Sequence, residues 1–157
     1  MTDKNLKCAE AQMLIRKPVS KVFEAFIDPA ITTNFWFTKS SGKLEVNKKI
    51  TWEWEMYDVS TPVVAKEILR NQKIVFEWDK QPKTVEFKFE PVNDSSTFVT
   101  VKECGYKEKD DELLEVIKGS TSGFTVVLDG LKAFLEHNIN LNLIADKFPP
   151  KVSQHKQ

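Results

Sequence analysis

The chain has 157 residues, enough for one domain with its own core, and no shift in composition marks a second unit. Lys and Arg number 23 and Asp and Glu number 23, so the formal charge is zero and the field that would gather nucleic acid or anionic lipid is missing. No apolar run is long enough to cross a bilayer, and the opening MTDKNLKCAE lacks the apolar centre of an export signal. These features predict a soluble cytoplasmic protein with no nucleic-acid partner and no membrane insertion. Cys8 and Cys104 lie far apart without Cys-x-x-Cys spacing and read as reduced thiols.

Alternation sets up the first element: Ala9, Ala11, Met13 and Ile15 share one parity of a strand, and Cys8, Glu10, Gln12 and Arg16 take the other. Pro18 opens a helix with Val19, Val22, Phe23 and Phe26 on one stripe. Asp28 then caps a second short helix with Pro29 at its first position. From Leu44 the period becomes two. Ile50, Trp52, Trp54 and Met56 face one way, and Ile74, Phe76, Trp78 and Val85, Phe87, Phe89 repeat the pattern. Val99 and Val101 end it. Turn signals at STP, RNQK, KQPK and PVNDSS make these strands an antiparallel meander with one broad apolar face.

That face needs a cover. Leu114, Ile117, Thr121, Phe124, Leu128, Leu131 and Leu135 recur at spacings of three and four and predict a helical segment from about Asp110 to Asn138. Gly119 and Gly123 weaken its middle, which predicts a kink or a break near 119 to 122. The domain is expected to span 1–148, with a frayed tail over 149–157 that begins with Pro149 and Pro150.

The order strand, two short helices, six-stranded meander and closing helix is that of an α+β helix-grip fold. IRKPVSKVFEAFIDPAITTNFW, TWEWEMY, VAKEI followed by IVFEW, and GFTVVLDGLKAFLEH together resemble the family of activator-of-heat-shock-chaperone-ATPase homologues, within the START-like superfamily. The resemblance runs from about Ile15 to Asn138. It implies a curved antiparallel sheet around the long carboxyl-terminal helix and a hydrophobic cavity between them. It also implies a chaperone as a second kind of partner.

Two glutamates are candidates for the inner face. In PVVAKEILR, pointing Val63, Ala65, Glu67 and Leu69 inward buries one carboxyl, whereas the other parity buries Lys66 and Arg70. The parity of Val99 and Val101 brings Glu103 in as well, provided neither strand is bulged. Such carboxyls are satisfied within the protein, orient a ligand in an apolar pocket, or act as a general acid or base with a raised pKa. Trp52, Trp54 and Trp78 serve as core or as core and pocket wall. Trp36, after the short helices, is a gate or a hydrophobic plug.

His137 and His155 have no partner at metal-ligand spacing, and no nucleophile elbow, Walker or dinucleotide glycine pattern occurs. A metal, a cofactor and a catalytic residue are therefore not expected. The leading expectation is a non-enzymatic protein holding a small hydrophobic or amphipathic molecule, with Trp52, Trp54, Trp78, Phe87 and Phe124 as ring contacts. Glu67 and Glu103 would orient its polar end, and Trp36 would guard entry. The rivals are regulation of a chaperone ATPase through the outer face around Glu53, Glu55 and Tyr57, and an enzyme of cyclase or hydrolase type.

Overall fold

The computed structural model describes residues 7–149, so most of the expected tail lies outside the described residues. The chain opens with β1 (Ala9–Ile15), then α1 (Val19–Ile27) and α2 (Pro29–Thr32). Val22, Phe23, Ala25 and Phe26 form the buried stripe of α1. Asp28 caps α2 as expected, its Oδ1 accepting the Ala30 N–H at 3.0 Å with Pro29 at the first turn.

The meander follows as β2 (Lys39–Ser40), β3 (Lys49–Trp54), β4 (Val59–Leu69), β5 (Lys73–Trp78), β6 (Lys83–Asn93) and β7 (Ser96–Cys104). The seven strands form one antiparallel sheet in the order β1-β7-β6-β5-β4-β3-β2. Their alternation buries Ile50, Trp52, Phe76, Val85, Phe87 and Val101 on one face. The long helix α3 (Asp110–His137) lies against it, burying Phe124, Val127, Leu128 and Leu131. This is the helix-grip arrangement.

The expected break in the long helix does not occur: α3 is one helix of 28 residues, about 42 Å long. Each interior glycine costs about 1 kcal/mol, which flanking turns and the packing of the carboxyl-terminal half outweigh. Gly130 has a different purpose. A Cβ there would sit 3.2 Å from the Phe35 Cβ and 3.3 Å from its carbonyl oxygen, so glycine lets helix and loop touch. The acids Asp110, Asp111 and Glu112 sit in the first turn, favourable for the helix dipole.

β1 is locked to the helix that crosses it. Lys132 Nζ donates to the Leu14 carbonyl at 2.8 Å and to Glu136 Oε2 at 2.7 Å, and the same carboxylate accepts the Arg16 N–H at 2.7 Å. Burial alone would raise the Glu136 pKa, but these donors outweigh it and hold the carboxyl below its usual range.

The reading of reduced thiols is corrected. Cys8 and Cys104 form a disulfide. The register that sets Ala9 opposite Glu103 brings the two cysteines together, with Cα atoms 4.5 Å apart, the spacing of a close cross-strand pair. A separation of 96 residues hides that neighbourhood from any local spacing rule. No helix among the described residues is long and apolar enough to cross a membrane.

A short helix that the sequence patterns did not suggest, α4 (Leu143–Lys147), follows α3. The Tyr57 hydroxyl donates to the Ile144 carbonyl, and Lys147 Nζ donates to Ser122 Oγ at 2.7 Å. Those bonds strap it across one end of the sheet.

Candidate functional site

The inner face of the sheet is filled at its centre. Trp36 is 5% exposed, and its ring lies 5.0 Å from Trp52, 5.8 Å from Trp78, 5.9 Å from Phe87 and 6.1 Å from Phe124. It is a central plug, not a side chain standing at an entrance. Trp52 is 1% exposed and stacks on Phe37 at 4.4 Å. Rings in tilted and edge contact add to the burial term, so this cluster is a major source of stability. Trp52 and Phe87 are core.

Space opens at the end where β3 and β5 finish and β4 begins. Trp54, Tyr57, Val59, Thr61, Trp78 and Ile144 line a cleft of about 410 Å³, with Ser60 and Asp79 at its rim. An adjoining cleft of about 190 Å³ runs under α3 between Trp36, Trp78, Ser120, Gly123, Phe124 and Val127. Trp78 and Ile144 belong to both. Trp54 and Trp78, whose ring centroids are 6.2 Å apart, make the aromatic wall. Cross-strand geometry explains the wall: Trp54 pairs with Val59 and Trp78 with Val63, both on the inner parity.

Glu103 stands behind that wall. It is 3% exposed, and its two oxygens accept from Trp78 Nε1 and from the Tyr106 hydroxyl, each at 2.8 Å. Each oxygen thus accepts from one donor. No cation among the described residues forms an ion pair with it, so these two neutral donors are what offset its desolvation. Burial, the largest influence, raises the Tyr106 pKa, and the neighbouring Glu103 raises it further, so the phenol stays a donor. The inner parity expected for Glu103 is what β7 has, and its carboxylate fixes a ring of the wall instead of lying open in a cavity.

Glu67 is a correction. The expected parity of β4 assumed an even strand, but a bulge between Ala65 and Glu67 shifts the register. Val63 and Ala65 face in before it and Ile68 packs on the core after it, while Glu67 turns outward to bond Lys73 at 3.0 Å. The bulge spares the core both the carboxyl and the cations, a third solution beside the two parities. Tyr57, expected on the outer face, instead turns to α4 and lines the cleft.

Nothing in the sequence patterns marks Thr61. It sits on the inner parity of β4 opposite Trp52, lines the larger cleft, and its buried hydroxyl oxygen has no hydrogen-bond partner among the described residues. Among those residues no group of His, Cys, Asp and Glu is arranged to hold a metal.

Residues 16–136 match the family model described as Activator of Hsp90 ATPase homolog 1-like protein. The chain belongs to this family. Among solved structures, a Staphylococcus saprophyticus protein is 32% identical, with 86% of this chain and 96% of that one covered and a TM-score of 0.74. An Hsp90 activator from Plasmodium falciparum is 21% identical over 82% of this chain and 96% of that one, with a TM-score of 0.63. The Aha1 dimer from Colwellia psychrerythraea is 17% identical over 83% and 97%, with a TM-score of 0.72. The last two likenesses carry the fold alone. No curated protein matches the sequence.

Proposed function

We propose that this family member is a non-enzymatic binding protein for a small apolar or amphipathic molecule, held at the open end of the grip. The observation that carries the reading is the meeting of the two clefts at Trp78 and Ile144. A site of about 410 Å³ with an aromatic wall has the size and lining of small-molecule sites generally. The ring contacts are then Trp54, Trp78 and Phe124, with Trp36 as the floor of the smaller cleft. Trp52, Phe87 and Glu103 support them from behind. The rigid centre of the fold suits this role, because a wall held by packed rings is organised before the ligand arrives.

The test is titration of tryptophan emission with lipids, sterols and flavonoids, alongside native mass spectrometry of protein purified from cells. A saturable shift or a retained mass supports the reading. Absence of both for every class removes it.

A second reading is regulation of a chaperone ATPase. It draws on the family's description and on an acidic concavity of about 300 Å³ that includes Glu53, Glu55 and Asp58. Stimulation of chaperone ATPase by purified protein would favour it over the first.

A further inference from the structure

Resting on the binding reading above, the polar chemistry of the larger cleft narrows the class of ligand. None of its lining residues is a cation. Lys83, whose side chain is 14% exposed, is paired with Asp79 at 3.5 Å. Asp79 has a second donor, the Lys80 N–H at 2.9 Å on Oδ1. The Tyr57 hydroxyl is committed to the α4 backbone, and the Trp78 N–H to Glu103.

An anionic head would therefore find no cation in the lining and would approach a wall backed by the Glu103 carboxyl group. A cationic head would have to compete with Lys83 for Asp79. Among the lining residues one buried polar group has no partner, the Thr61 hydroxyl, which can both donate and accept. That hydroxyl is unfavourable in the empty protein; its oxygen is covered, and a turn about χ1, which exchanges it with the Thr61 methyl, presents it to the cleft, where a ligand group that meets it removes the penalty.

We infer that the cleft selects uncharged amphiphiles, molecules with an apolar body and one neutral hydroxyl or carbonyl group, and that Thr61 is the residue that reads this group. The apolar body lies along Trp54, Trp78 and Ile144, and its polar group reaches the inner face of β4.

Three probes of one chain length separate the possibilities: 1-dodecanol, dodecanoate and dodecylamine at pH 7, each below its aggregation threshold and followed by tryptophan emission. Dodecanol is expected to bind at least ten-fold more tightly than either ion. Thr61→Val, which keeps the shape, is expected to weaken dodecanol about five-fold, as for loss of one hydrogen bond, and to leave the ions unchanged. Thr61→Ser keeps the hydroxyl and should keep the preference. Dodecanoate or dodecylamine binding as tightly as dodecanol overturns the inference and leaves the binding reading standing. Unchanged selectivity in Thr61→Val overturns the role of Thr61, since a hydroxyl that merely holds water would give that result. Failure of all three probes, together with the wider ligand panel, overturns the binding reading itself.

Discussion

The Trp78 indole is tied to Glu103 by a 2.8 Å hydrogen bond from Nε1 to Oε2, and the other carboxylate oxygen accepts from Tyr106. One buried carboxylate thus fixes a ring that belongs to both clefts. Glu103→Leu leaves two buried donors unpaired and should lower stability by about 1–3 kcal/mol. Glu103→Gln should be milder, because the Tyr106 hydroxyl can turn to accept from the new amide. Urea unfolding measures the order, and tryptophan emission should change in both. Equal stability of all three proteins would mean that the bond does not hold the wall.

The disulfide joins the start of β1 to the end of β7, one residue from Glu103. It closes a loop of 96 residues, for which the chain-entropy account gives about 4–5 kcal/mol as an upper figure. A dithiol reductant should therefore lower Tm in the native protein and leave Cys8→Ser unaffected. A native Tm indifferent to reductant would show that the bond is absent.

Much of the fold was legible because alternation survives wherever a strand is half-buried. Trp52, Phe76 and Val101 could be placed on the inner face by parity alone. Glu103 followed because β7 runs evenly from Val99. Glu67 failed at the bulge, since one extra residue inverts every side chain beyond it and leaves no mark in the pattern. The disulfide and the strap of α4 over Tyr57 depend on contacts between distant segments, which periodicity does not carry. The unbroken α3 shows tertiary packing overriding helix propensity at Gly119 and Gly123. Thr61 had no signal, since a threonine in a strand is ordinary until its hydroxyl is seen unpaired.

The glycines of α3 should respond in opposite directions. At Gly119 a Cβ meets nothing within 4 Å, so Gly119→Ala should stabilise by about 0.5–1 kcal/mol. At Gly130 it meets Phe35 at 3.2 Å, so Gly130→Ala should destabilise by about 1–3 kcal/mol. Thermal unfolding of both variants checks the pair, and a shared sign would contradict the contact.

Glu136 sets an acid limit. Its folded pKa is depressed, so its contribution is present above the ordinary carboxylate range and is lost as pH falls through the folded value. Glu136→Gln should be less stable at pH 7 and should show a shallower loss of stability below about pH 5. Parallel curves for the two proteins between pH 7 and pH 3 would argue against the Lys132 and Arg16 bonds.

The binding account is tested most directly by mapping NMR shifts as an uncharged amphiphile such as 1-dodecanol is added. It predicts saturable changes at the indoles of Trp54 and Trp78 and at the methyls of Ile144 and Thr61, with Trp52 and Phe87 left nearly still. Changes confined to the outer face around Glu53 and Glu55, or no change with any ligand class, would contradict it.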